Sequence, residues 1–226
     1  MLDLDTMIMD NNTAKKREGV KPTYKNVLGF QPLQLQWGPY FVDAVFRGGS
    51  KHSNHGDTVV EMVKHVVSRI RNEYSKEVPI VLTADIGFFD QENFQAFEEL
   101  GIGYVVGGKL YPDIEQKAES RPEKDWTTLN KEDGRAYKIL SFPDRRESWK
   151  KRRRAVYTRL VDEGSLTPFR FAQNRRIYYT NLGTDEKLTA SLAKAGKENW
   201  LTSSDVVKLT HGRGDEEQTH RSLKEF

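Results

Sequence analysis

The spacing of apolar residues changes along the chain, and each change marks an element. Residues 1–9 alternate weakly, with Leu2, Leu4, Met7 and Ile8 set around Asp3 and Asp5, and read as a strand. Residues 10–29 are polar and rich in turn formers, and read as a loop. Residues 31–37 and 40–49 alternate on either side of a Trp-Gly-Pro-Tyr turn and predict a hairpin. Val59, Val63, Val66, Val67, Ile70 and Tyr74 then follow a 3.6-residue period, with Ser53 or Asp57 placed to cap the helix. Residues 78–85 form an unbroken apolar run ending in Asp85, as a central buried strand does. A short helix over 90–101 and a strand over 102–110 follow. From 111 to 196 the pattern is charged and strand-like, and helical spacing returns only near Ser203, where Ser203, Ser204 or Asp205 is a candidate cap. A strand and hairpin followed by alternating helix and strand predict a mixed α/β sheet.

Composition narrows the class. The 226 residues are 36% hydrophobic and 11% aromatic, enough for a packed core despite 31% charge. No apolar run approaches the ~18 residues of a membrane span. The acidic N-terminus lacks the basic stretch of a secretory signal. There is no cysteine, which removes disulfides and thiolate metal sites and fits a reducing compartment. Net charge is +3, but residues 145–176 carry +8 and the remainder −5. Such a block suits an anionic polymer or a solvated charged surface, and charge by itself does not separate the two.

The candidate chemistry is carboxylate chemistry. Asp5 lies in the first strand, Asp85 at the end of the central strand and Glu217 in the final helix. An acidic group at the end of a buried strand is costly unless it is paired or holds a cation. Three carboxylates from three elements suit a hard ion such as Mg²⁺ or Mn²⁺, and two such ions support phosphoryl transfer. Arg213, Glu217, His220 and Lys224 are spaced to share one helix face, where a globular helix carries its apolar stripe. Residues 52–55, His-Ser-Asn-His, form a weak metal pair or a loop leading into the next helix. In the aromatic and basic stretch that follows Trp149, a strand would bury Tyr and Phe on one face. The other face would turn arginines, Arg152, Arg153 and Arg154 among them, toward phosphates.

At these residues the chain resembles the DDE transposases of bacterial insertion sequences, in the subgroup marked by a Tyr-x2-Arg-x3-Glu-x6-Lys signature. Arg213, Glu217 and Lys224 fit its last three positions, while Thr210 stands at the tyrosine position. Asp-Leu-Asp-Thr (3–6) resembles the first-Asp strand, and Ala-Asp-Ile-Gly-Phe-Phe-Asp (84–90) the second-Asp motif. Residues 29–33 and 46–56 resemble the connecting stretches.

The resemblance implies an RNase H-like α/β fold: a mixed sheet flanked by helices, with a β-rich basic insertion between the second Asp and the Glu. The expected division is a core over 1–110, the insertion over 111–196 and a completing helix over 197–226. It implies a DNA strand-cleaving and strand-transferring enzyme using two Mg²⁺ or Mn²⁺ ions. Asp5, Asp85 and Glu217 would be the catalytic and metal-holding residues, with Arg213 and Lys224 on phosphates. The implied partners are transposon-end and target DNA, with a homodimer in the DNA complex, and the implied location is cytoplasmic and nucleoid-associated. Family members carry a DNA-binding region before the first Asp and more helix after the Lys, so the chain resembles a catalytic domain truncated at both ends. The alternatives are an inactive fragment, a metal-dependent nuclease of the same fold and a non-enzymatic DNA-binding remnant.

Overall fold

The computed structural model describes residues 1–14, 18–131, 135–161 and 175–211. Strand β1 (Leu2–Thr6) lies at the centre of the N-terminal half. It pairs antiparallel with β5 (Leu33–Trp37), which forms the expected hairpin with β6 (Tyr40–Val45). The polar stretch between β1 and β5 is more ordered than its sequence suggests. Strands β2 (Met9–Asp10), β3 (Lys21–Pro22) and β4 (Leu28–Phe30) form a small separate sheet in the order β2-β4-β3. They are too short to show any alternation.

On its other side β1 pairs in parallel with β7 (Val81–Ala84), and β7 with β8 (Gly103–Gly108). Parallel strands need a crossover. Helix α1 (Thr58–Glu73) provides one and α2 (Gln91–Glu99) the next. α1 buries Val59, Val63, Val66 and Val67 of the expected stripe together with Met62, and Ile70 packs partly buried against them, but Tyr74, expected on the same stripe, is the C-cap and is 80% exposed. Asp57 sits at its N-cap but makes no side-chain cap bond. Asp90 does cap α2, accepting from the Glu92 N–H at 2.7 Å.

The stretch 111–196 departs from the expected reading in two ways. Among its described residues are two helices, α3 (Pro112–Glu119) and α4 (Glu186–Lys194), besides β9 (Thr127–Asn130), β10 (Ala136–Asp144), β11 (Arg153–Leu160) and β12 (Arg176–Thr180). Its strands also extend the main sheet, because β12 pairs antiparallel with β8. The result is one nine-stranded sheet in the order β6-β5-β1-β7-β8-β12-β11-β10-β9. The last described helix, α5, spans Ser203–His211.

Strand alternation sends side chains to two cores. Leu2, Leu4, Leu82, Ala84, Tyr104, Val106, Tyr157 and Tyr179 pack on one face with α1, α2 and α3. Val81, Val105, Val156 and Tyr178 pack on the other with Leu188 and Leu192 of α4 and Val206 and Val207 of α5. Among the described residues no helix is long and apolar enough to cross a membrane.

Asp3 shares the second face but is 3% exposed, and its Oδ1 accepts a 2.6 Å bond from the Thr83 hydroxyl. A hydrogen bond to a charged group contributes about 1.5–3 kcal/mol. Thr83→Val, which keeps the shape and removes the donor, is expected to lower unfolding free energy by about that amount in urea denaturation.

Candidate active site

The register Leu2↔Leu82, Asp3↔Thr83, Leu4↔Ala84 carries one step further to Asp5 beside Asp85. Neighbouring strands are about 4.8 Å apart, so Asp5 and Asp85 come at the same level at the C-terminal ends of two adjacent parallel strands. By alternation Asp5 shares the side of β1 that carries Asp3, opposite Leu2 and Leu4. Both side chains are half-buried. Each is oriented by backbone. Asp5 Oδ1 accepts from the Thr6 N–H at 2.7 Å, and Asp85 Oδ1 accepts from the Gly87 N–H at 2.8 Å. The second bond caps a short 3₁₀ turn, Ile86–Phe88.

Hydroxyls complete this corner. Thr6 Oγ1 lies 3.3 Å from Ser53 Oγ and accepts from Gln31 Nε2 at 3.3 Å. The glycine of the Asp-x-Gly motif has a steric reason. A Cβ on Gly87 would lie 2.6 Å from Ser53 Oγ and 2.9 Å from Asp85 Oδ1. Gly107 of β8 does the same from below, since a Cβ there would lie 3.0 Å from the Ile86 nitrogen. Gly87→Ala is therefore expected to displace the Asp85 carboxylate or the Ser53 loop. A displacement of about 1 Å at a reacting centre costs roughly a hundredfold in rate. Steady-state DNA cleavage and thermal melting together check this: a loss of that size should come with little change in melting temperature.

Glu217, Arg213 and Lys224 lie outside the described residues, as does His220. Thr210, at the tyrosine position of the signature, is half-buried and its hydroxyl donates to the Val207 carbonyl at 2.7 Å. The described part of this helix is anchored by fully buried Val206 and Val207.

The arginine run divides. Arg152 is exposed. Arg153 is 5% exposed and forms a bidentate pair with Glu98 of α2, at 3.1 and 3.3 Å. Its guanidinium also lies 5.1 Å from the ring centroids of Phe94 and Trp149. Arg154 donates to Ser141 Oγ, the carbonyls of Leu182 and Leu201, and Ser203 Oγ, at 2.7–3.0 Å. The expectation that Arg153 and Arg154 face phosphates is thus corrected. β11 is an interior strand covered on both faces, so its arginines are spent inside the fold.

The His52 and His55 rings lie 5.6 Å apart, edge to face. Among the described residues no group of three or more His, Cys, Asp or Glu is placed to hold a metal. Ser53, expected as a helix cap, instead touches Thr6 and crowds Gly87, and Arg47, which donates to the Ser53 carbonyl, was not singled out by sequence. The signal for them was the connecting stretch 46–56 itself.

Residues 1–224 match the family model described as transposase DDE domain, group 1. The chain belongs to the DDE transposase domain family. No curated protein matches it in sequence. A cryo-EM structure of a piggyBac transposase synaptic complex with hairpin DNA is similar over 92% of this chain, at 10% identity and a TM-score of 0.39. The DDE domain spans 39% of that longer chain. The DDE transposase domain has the expected mixed α/β architecture, a large mixed sheet flanked by helices, with Asp5 and Asp85 at the ends of adjoining strands.

Proposed function

We propose that this DDE transposase domain cleaves DNA strands and transfers them, using a divalent cation held by Asp5 and Asp85 with Glu217 as third carboxylate. What supports the proposal is that Asp5 and Asp85 lie at the C-terminal ends of two adjacent parallel strands, each with one oxygen accepting from a backbone N–H. The donors fit a hard ion. They are carboxylate oxygens, and the chain has no thiol to favour a softer metal. When bound, Mg²⁺ or Mn²⁺ supplies Lewis-acid activation of a nucleophilic oxygen and charge stabilisation at the leaving oxygen. The backbone-anchored carboxylates orient the site before substrate arrives. Arg213 and Lys224 are proposed to hold phosphates near the element's end, and Arg152 to contribute a phosphate contact from the exposed start of β11. DNA is the partner, with a homodimer in the complex.

The test is cleavage of a duplex carrying the element's terminal sequence, with Mg²⁺ and with chelator, followed by a strand-transfer assay on plasmid. Mg²⁺-dependent nicking at the element end, lost in Glu217→Gln, is the expected result. Cleavage that never proceeds to joining would reduce the reading to a nuclease. DNA binding without cleavage at any metal concentration would remove the enzymatic reading.

A further inference from the structure

Arg47 follows β6 and is 6% exposed. Its Nε donates to the Gln31 carbonyl at 3.3 Å, and its Nη1 to the Ser53 carbonyl at 3.2 Å and Thr58 Oγ1 at 3.3 Å. All three acceptors are neutral. Its Nη2 is buried with no partner, and among the described residues no carboxylate pairs with it. Burial pushes the guanidinium pKa down. The fold treats Arg153 differently: that equally buried cation has Glu98 against it. Burying a charge without a counter-charge is expensive. Its persistence beside a catalytic site suggests that the counter-charge arrives from outside.

The loop that Arg47 holds carries Lys51 and, as hydrogen-bond donors, His52 and His55, with Asp57 as its one acidic residue. The His55 imidazole is pushed down by partial burial and then by Lys51, His52 and Arg47, so it donates as the neutral ring. The loop runs into the N-terminus of α1, a helix of 16 residues whose N-cap side chain leaves the first turn uncapped. That end carries the positive pole of the helix dipole. Ser53, in the middle of the loop, touches Thr6 and crowds Gly87 next to Asp85. The loop thus reaches the Asp85 corner through Ser53, with Lys51 and His52 preceding it and His55 two residues on.

We propose that residues 47–58 form a phosphodiester subsite, in which Lys51, His52 and His55 meet a backbone phosphate of the strand held at Asp5 and Asp85, and Arg47 supplies buried charge behind them. This rests on the reading of Asp5 and Asp85 given above. The test therefore uses binding without metal in an Asp85→Asn chain, which does not depend on catalysis. Affinity for a short fluorescent duplex is measured by anisotropy across a salt series. Lys51→Ala is expected to reduce the slope of log affinity against log salt by about 1. His52→Ala with His55→Ala is expected to weaken binding roughly tenfold, the equivalent of a lost hydrogen bond to a charged group. Lys51, His52 and His55 are exposed or half-buried, so wild-type melting temperatures are expected and identify folded protein. Unchanged affinity and slope in both variants would overturn the subsite, even if Asp85→Asn has abolished cleavage. Inorganic phosphate, added at constant ionic strength, should displace little duplex. Complete displacement by it would mark a free-anion site and overturn the assignment to a strand. An Asp85→Asn chain that still cleaves would refute the catalytic reading and leave this binding measurement interpretable.

Discussion

An Asp85→Asn chain is expected to cleave DNA roughly 10²–10³-fold more slowly than wild type. Metal coordination is worth several kcal/mol of transition-state stabilisation, and each 1.36 kcal/mol is tenfold in rate. The sign on stability separates this from unfolding. Asp85→Asn keeps a side-chain oxygen able to accept from the Gly87 N–H, as the carboxylate does. The metal-free variant should therefore be about as stable as wild type. Mg²⁺ is expected to raise the melting temperature of wild type, because a ligand that binds only the folded state stabilises it. The Asn variant should show little such rise. A metal-induced shift that survives Asp85→Asn would place the ion elsewhere.

Arg154→Met is expected to be the most destabilising change in the arginine run. It leaves the carbonyls of Leu182 and Leu201 without their 2.7 and 2.8 Å donors and releases Ser141 and Ser203. Each buried acceptor left unsatisfied costs about 1–3 kcal/mol, so a loss of roughly 2–5 kcal/mol is expected in urea denaturation. The substitution also cuts the tie between β10, the turn after β12 and the first residue of α5, the helix that leads toward Glu217. Arg152→Ala should do the opposite. At an exposed site it should change stability by less than about 0.5 kcal/mol while flattening the salt dependence of DNA binding by about 1. If Arg154→Met kept wild-type stability and flattened the salt slope instead, Arg154 would be a DNA contact after all.

Elements with a period long enough to count were legible. α1 repeats its valines from Val59 to Val67, about two turns, and β7 shows an unbroken apolar run because both of its faces are covered. α3 and α4 were not, because each buries a single i,i+4 pair, Ile114 with Ala118 and Leu188 with Leu192. One pair is indistinguishable from alternation in a charged stretch. Asp185 was the missed sign, since its carboxylate accepts from the Leu188 N–H at 2.9 Å and caps α4. The arginines of β11 were misread for a different reason. A strand's alternation tells which side chains share a face, but not whether that face meets solvent or a helix.

The steric need for Gly87 shows only once Ser53 is packed beside it. The sequence alone offered the candidate carboxylates, Asp5 and Asp85, after two stretches that read as strands. It also determined the family, through motifs that recur in order along the whole chain. Only the tertiary structure decided that Asp5 and Asp85 are neighbours, because their pairing spans some eighty residues and depends on the register of β1 against β7. It likewise decided the fates of three arginines. Arg153 faces Glu98, Arg154 faces carbonyls, and Arg47 is buried with no carboxylate against it among the described residues. The three share a side chain and differ in what the fold packs around it, and the cost of a buried charge is set by those surroundings.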